Sequence, residues 1–540
     1  MSLTDASESE VTRICRRASA AAAVLRELDT AAKDLVLAQI ADAIDAGRDA
    51  LKAANRIDVD QARAAGVSAT LVDRLTLTDA RISGMVSSIR TVTGLPDPVG
   101  QVVAGRTRPN GLLIEHVREP LGVVAVIYEA RPNVTADVAA LCLKSGNAAV
   151  LRGSSIAAHT NAAIADLITG VLAAQDQVPV DAVQLIRDNS REAVLELLAA
   201  RDWVDLLVPR GGPSLIQTVR EHAQVPVVID GDGNCHVYVD ESADPAMATD
   251  IVVNAKTSRP SVCNAAVLRG SSIAASTNAA IADVITDVLA AQDQVPVDAV
   301  QLIRDNSREA VLELLAARDW VDLLVPRGGP SLIQTVREHA QVPVVIDGDG
   351  NCHVYVDESA DPAMATDIVV NAKTSRPSVC NAAETLLVHA AIAPTWLPGA
   401  LAELDKAGVV IRGDGRVQAI WPAAEPATEA DWATEYLDLV LAVRVVDDLD
   451  EALAHIARWG TRNSEAVVAR DIGVARRFAR AVDSGSVFVN CSTRFSDGGE
   501  FGYGLEIGVS TQKLHARGPM GLEALTCVKN VTWGSGQVRR

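Results

Sequence analysis

The sequence predicts an α/β protein with parallel sheets, on three observations. Short apolar runs of strand length, such as "LGVVAVIYEA" and "VPVVID", alternate with stretches whose apolar residues recur at helical spacing. Such alternation builds parallel sheets, because two parallel strands need a crossover long enough to hold a helix. Nearly half of the residues are apolar (49%) but only 3% are aromatic, so Ala, Val and Leu must fill the layers.

Along the chain, roughly the first 90 residues read as helices. One of them, "TAAKDLVLAQIADAIDAGRDALKAANR", opens on Thr30, whose hydroxyl suits an N-cap. "GLLIEHVREP" reads as an edge strand stopped by Pro120, and "LGVVAVIYEA" as a strand buried on both faces. "NAAVLRG", "AVQLI", "VDLLVP" and "VPVVID" follow as short strands, separated by helices such as "NSREAVLELLAARD". After "GDGN", the strand "CHVYVD", the helix "PAMATDIVVNAKT" and the strand "TLLVH" begin a second α/β domain. "AVRVVDDLDEALAHIARWG" and "GSVFVN" continue it.

A chain of 540 residues has room for two or three domains. Its formal charge of −20 argues against nucleic acid or an anionic membrane as partner, since both are bound by clustered Lys and Arg. The eight cysteines form no CxxC and no zinc-ligand spacing, and Cys235-His236 reads as packing, so no metal is expected. Reduced thiols and an acidic, polar N-terminus lead us to expect a cytoplasmic protein. No apolar run of about 18 residues suggests a membrane span.

An internal repeat governs the organisation. "VLRGSSIAA" begins at Val150 and again at Val267, an offset of 117 residues (267 − 150). The copies, Asn147–Cys263 and Asn264–Cys380, differ only at His159/Ser276, Leu167/Val284 and Gly170/Asp287. Removing one copy leaves 423 residues (540 − 117). A fold that follows the first copy to any point can resume 118 residues on, and the surplus then leaves from an exposed loop, where insertion costs least. "AQDQVP" near Gln175 and "GDGN" near Gly231 are the candidate loops. With either, Arg152 of the first copy and Cys380 of the second enter the working fold.

The stretch "KTSRPSVCNAA" places Cys263, and again Cys380, in a turn with Lys and Arg just before it. Positive charge there favours thiolate. By itself the pattern admits a nucleophile or a structural thiol. "VLRGSS" and "VPRGG" stand where strands end and admit a phosphate-binding turn or a plain one; no GxGxxG follows a strand.

Five stretches settle the resemblance: "KTSRPSVCNAAETLLV", "EARPNVT", "LKSGNAAVLRGSS", "FSDGGEFGYGLEIGVSTQKLHARGPMGL" and "TEYLDL". Together they resemble the gamma-glutamyl phosphate reductases of the aldehyde dehydrogenase superfamily. One departure is Asn463, where the family carries a His. The resemblance implies an aldehyde-dehydrogenase-like fold: a Rossmann-like NADP-binding domain over 1–233, with 98–120 contributing to a small oligomerisation hairpin, and an α/β catalytic domain over 351–519. The duplicated insert then spans about 234–350, and 520–540 forms a C-terminal packing segment.

It also implies reduction of L-glutamate 5-phosphate to the 5-semialdehyde with NADPH, through a thioester on Cys380 or its duplicate Cys263, in proline biosynthesis. Asn133 in "ARPN" would donate to the oxyanion. Arg152, Gly153, Ser154, Gly211, Gly212 and Glu435 would bind the cofactor, with Arg152 reading the 2′-phosphate. "VIDGDG" replaces the relatives' "ELGG", leaving Asp230 and Asp347 as the nearest carboxylates, each a turn residue on its own reading. A homo-oligomer and contact with glutamate 5-kinase are further implications. Two other readings stand beside this one: a hydrolytic aldehyde dehydrogenase, told apart by indifference to phosphate, and a chain inactivated by the duplication.

Overall fold

A computed structural model describes residues 9–129, 131–211, 213–228, 266–270, 274–291, 297–327, 330–346, 349–503 and 506–526. It divides into two compact units: Met1–Ile229 with Val325–Ile333 and Val345–Cys527, and Asp230–Leu324 with Gln334–Val344 and Val528–Arg540.

The larger unit opens with five helices within Glu10–Thr93. Polar caps set their starts: the Ser9 side chain accepts from the Thr12 N–H, and Asp29 from the Ala32 N–H at 2.8 Å. Asp29, not Thr30, is therefore the cap of Thr30–Ala46. A carboxylate satisfies the same orphan N–H and adds favourable charge at the positive helix end.

A parallel four-stranded sheet follows, in the order β5-β4-β3-β6, from β3 (Val123–Tyr128), β4 (Ala148–Gly153), β5 (Val183–Leu185) and β6 (Leu206–Arg210). All six β3 residues are buried, as expected of a strand covered on both faces. The helix Ala158–Ala173 with its preceding turn is, by length and composition, apolar enough to cross a membrane. It instead packs Ile164, Ile168 and Leu172 into the core shared by the N-terminal helices and this sheet. Before β3, β1 (Val102–Thr107) and β2 (Leu113–Val117) form an antiparallel hairpin.

A second sheet is parallel throughout and seven-stranded. Its order is β12-β11-β13-β10-β9-β14-β15, with β9 at Cys352–Val356, β10 at Ala383–His389, β11 at Val410–Gly413 and β12 at Glu425–Pro426. β13 is Val440–Val446, β14 Ser464–Val468 and β15 Ser486–Val489. Lys513 and Arg517, of the "STQKLHARGPMGL" stretch, reach Asp483 at 2.6 and 2.7 Å, and Arg26 of the first helix joins them at 2.8 Å. With Arg462 at 3.9 Å, these four cations outweigh desolvation and hold the half-buried Asp483 carboxyl well below its usual range.

The smaller unit repeats pieces already seen. β7 (Ala266–Arg269) pairs in parallel with β8 (Val300–Ile303), and helices cover Ala275–Ala290 and Arg308–Ala316. The larger unit leaves off at Ile229, takes in Val325–Ile333, and resumes for good at Val345, one residue short of Ile346, the 117-residue counterpart of Ile229. The division after Ile229 falls beside the second candidate loop, and "AQDQVP" near Gln175 lies within the larger unit.

Candidate active site

Going from β3 through β4 to β5, the chain moves outward across the first sheet, then returns to the far side of β3 as β6. The crevice beyond the carboxyl ends of β3 and β6 is therefore a topological switch point, where parallel sheets bind nucleotides. There the Glu129 N–H donates to the Arg210 carbonyl at 3.2 Å. A Cβ at Gly211 would stand 2.7 Å from Leu215 Cδ2 and 2.8 Å from the Glu129 carboxyl carbon, so any larger residue would have to push both side chains aside. Gly212 lies outside the described residues.

One strand over, Arg152 leaves the sheet from β4 and donates through Nη2 to the carbonyls of Asn189 and Ser190, at 2.7 and 3.0 Å. Its Nε is buried with no partner, and burial pulls its pKa down against the pull of Asp188 and Glu129. A Cβ at Gly153 would meet Asn161 Nδ2 at 2.1 Å, and that amide is a second buried donor lacking a partner. Ser154 follows, just before the short turn that starts the helix Ala158–Ala173. Gly153, His159, Asn161, Arg187 and Asn189 line a cavity of about 190 Å³. Unspent donors above a glycine cradle fit the phosphate and ribose oxygens of a dinucleotide.

The second sheet contributes the amino ends of two inner strands, β10 and β9. The helix Pro362–Thr374 stops before Pro377, and a turn then carries the half-buried Cys380 to the start of β10. The Cys352 thiol donates to the Cys380 carbonyl at 3.1 Å, and Thr493 Oγ1 to the Asn381 carbonyl at 2.7 Å. Asn381 Nδ2 in turn donates to the Ser496 carbonyl at 2.9 Å. Burial keeps Cys352 a thiol, with its pKa well above the usual range, so it can serve as that donor. Gly350 presses on the turn: a Cβ there would fall 1.8 Å from the Cys380 carbonyl oxygen. The Gly350 N–H donates to Glu435 Oε1 at 2.8 Å, which brings that carboxylate to the cysteine turn.

Sequence reading assigned Lys373 to thiolate activation, and the structure corrects this. Lys373 is wholly buried and bonded to Glu384 at 2.5 Å, so its charge is spent there. Burial moves both partners away from their charged forms, Glu384 up to about 7 and Lys373 downward. The pair closes the base of the cysteine turn, and Glu384 also accepts the Leu437 N–H at 3.3 Å, two residues from Glu435. Arg494 interacts electrostatically with Cys380; it is held by its Nε on Ser375 Oγ at 2.9 Å, with Arg376 close by. Glu384→Ala should destabilise the protein by about 3–5 kcal/mol, because Lys373 is left buried and unpaired. Urea unfolding of the two chains measures it.

Of the residues expected here, Cys380 and Glu435 come together through Gly350, and Arg152, Gly153 and Ser154 lie together at the end of β4. Asn133 begins the helix Asn133–Lys144, where its exposed amide donates to Asp137 at 2.8 Å. Cys263, Asp230 and Asp347 lie outside the described residues, as does Cys235-His236. The second copy's counterpart of that pair, Cys352-His353, is buried, with His353 on Glu465 at 3.0 Å. Among the described residues no group of three His, Cys, Asp or Glu side chains could hold a metal. Sequence reading missed Gly350, Glu384 and Arg494. "GDGN" signalled a linker, and nothing local marks a glycine pressed on a turn 30 residues away.

The profile of the aldehyde dehydrogenase family matches residues 1–260 and 261–417, breaking close to the junction of the two copies. The chain is 44% identical over 532 residues to the gamma-glutamyl phosphate reductase of Thermobifida fusca, which covers 98% of this chain and 99% of that one. It is 42% identical to that of Moorella thermoacetica, with 97% of each covered. The crystal structure of a gamma-glutamyl phosphate reductase from Thermotoga maritima is 36% identical, with a TM-score of 0.39, across 98% of this chain and 100% of that one.

Proposed function

This chain belongs to the aldehyde dehydrogenase family and, within it, to the gamma-glutamyl phosphate reductases; from that premise we propose that it reduces L-glutamate 5-phosphate to L-glutamate 5-semialdehyde and phosphate. The Cys380 turn carries the reading: a cysteine pinned from three sides, with a guanidinium beside it and a carboxylate one residue contact away. The Cys380 thiolate attacks the acyl carbon, the bond to the phosphate oxygen breaks, and phosphate leaves with both electrons. An acyl phosphate is already activated, so no strong general acid is needed.

Arg494 and Arg376 offer the two guanidiniums that suit a substrate bearing a phosphate and carboxylates. The Cys380 N–H and Asn133 are the proposed oxyanion donors, and Asn133 would first have to release Asp137. A bound nicotinamide supplies the hydride that reduces the thioester, and Cys380 departs as thiolate. Glu435 would orient the nicotinamide ribose, Gly211 and Gly212 would pass the pyrophosphate, and Gly153 and Ser154 would face the adenosine half.

The test runs the reaction backwards, since the acyl phosphate is labile. Semialdehyde with phosphate and NADP should yield NADPH, and turnover indifferent to phosphate would point to a hydrolytic enzyme instead. We further infer NADPH over NADH, supported by the unpartnered Nε of Arg152, which suits a 2′-phosphate. Arg152→Ala should raise the KM for NADPH by about 10- to 100-fold, the worth of one charged hydrogen bond, and leave that for NADH nearly unchanged.

Assembly is proposed on the β1–β2 hairpin. It exposes Val102, Val103, Leu113 and Val117, and a two-stranded hairpin gains stability by packing on more structure. Leu113→Asp should lower the mass seen by light scattering. Transfer of the labile substrate from glutamate 5-kinase by direct contact is proposed on the family resemblance, with co-elution of the two proteins as its check. A cytoplasmic location is supported by free thiols at Cys15, Cys142, Cys352 and Cys491, and cell fractionation tests it.

A further inference from the structure

The two copies carry one sequence in two surroundings. In the first, the helix Ala158–Ala173 packs against Thr30–Ala46 and Arg48–Ala64, and β4 lies between β3 and β5. Val150, Leu151 and Ile164 are accordingly 0% exposed. Their counterparts Val267, Leu268 and Ile281 are 44%, 44% and 55% exposed, and Val284 and Val288 on the same helix are also open. The first copy thus shows what this face is made to receive: the chain's own N-terminal helices and β3.

All three differences between the copies fall on this face. His159 Nδ1 meets Asp58 Oδ1 of the helix Arg48–Ala64 at 2.8 Å; Ser276 has no ring to reach so far. Leu167 packs on the backbone of Gly47, where an added Cβ would lie 2.7 Å from its Cδ1; Val284 lacks that methyl. Gly170 lines a groove with Gln39, Ala43 and Asp166, and leaves it open. Asp287 would put a carboxylate under the helix Thr30–Ala46, beside the counterpart of Asp166, and docking would strip its water. The other positions of the repeat are identical, so they favour neither copy.

We propose that the open face of the second copy is an alternative seat for the N-terminal helices, and that these three positions are the selector that sends them to the first copy. Chain connectivity permits both seats, since the surplus 117 residues can leave at Gly146 and return at Asn264 instead of leaving after Ile229. The two folds differ in where the surplus leaves the chain, and their side chains differ at these three positions alone.

Disulfide trapping after refolding reads the choice. Gln175 Nε2 donates to Gln39 Oε1 at 2.7 Å in the first copy, and Gln292 is the sequence counterpart of Gln175. Gln39→Cys is combined with Gln175→Cys in one chain and with Gln292→Cys in another, and the bridge is located by peptide mass spectrometry. The 175 pair should bridge at least about tenfold more than the 292 pair, the ratio set by about 1.4 kcal/mol. Exchanging the selector keeps the composition unchanged: His159→Ser, Leu167→Val and Gly170→Asp, with Ser276→His, Val284→Leu and Asp287→Gly. The preference should then pass to the 292 pair. Bridging that stays at 175 in the exchanged chain, equal bridging in the starting chain, or no bridge in either, overturns the proposal.

Discussion

Cys380→Ala should abolish phosphate-dependent turnover, by about four orders of magnitude or more, the usual loss when a covalent nucleophile is removed. Cys263→Ala should leave most of it. The two cysteines share the context "KTSRPSVCNAA", so local chemistry cannot tell them apart. Their difference is one of placement. Cys380 runs straight into β10, next to β9, with Gly350 against its carbonyl. Initial rates of the two single mutants, with circular dichroism to show intact folds, decide the matter. The reverse pattern would assign the working turn to the first copy, and loss in both would mean that each contributes to one site, as a swap between subunits allows.

Deleting residues 230–346 should leave an active and more stable enzyme. The join is silent: Ile229 then precedes Asp347, and "VPVVIDGDGN" is restored letter for letter. The bonds of Arg152 to Asn189 and Ser190, of Cys352 and Thr493 to the cysteine turn, and of Gly350 to Glu435 all lie outside the deleted span. Closing a structureless loop of this length costs about 4 kcal/mol by the (3/2)RT ln n rule, and less in so far as the segment folds by itself. Removal should therefore raise the unfolding midpoint and eliminate the fragments produced by brief protease treatment, since an open apolar face marks a weakly held region. Unchanged protease sensitivity, or loss of activity in the shortened chain, would contradict this.

How far the sequence could be read is clearest where it is written twice. Arg152 and Arg269 make the same pair of bonds, to Asn189 and Ser190 and to Asn306 and Ser307. Ser190 and Ser307 cap their helices alike. Such features come from neighbours within about 40 residues, and a strand–helix pattern reveals them wherever the segment lies. Burial does not come that way: Ile164 is 0% and Ile281 55% exposed with nearly the same flanks, because partners earlier in the chain are shared out once. The cysteine turn was legible as a turn, yet its supports were not. Glu384 takes the charge of Lys373 from eleven residues on, and Arg494 arrives from more than a hundred, so no local pattern reports either.

The seam after Ile229 has a mechanical consequence. The returning chain is anchored where the Ile346 N–H donates to Gln512 Oε1 at 2.8 Å, only four residues before Gly350. Gly350 in turn bears on Cys380. A tether at this position is a lever arm: any guest domain spliced between Ile229 and Val345 would act on the cysteine turn through one short span. A guest whose ends stay close would leave the turn at rest. One whose ends part on capturing its own ligand would draw Gly350 off the Cys380 carbonyl, and the fold would work as a strain gauge with enzymatic output.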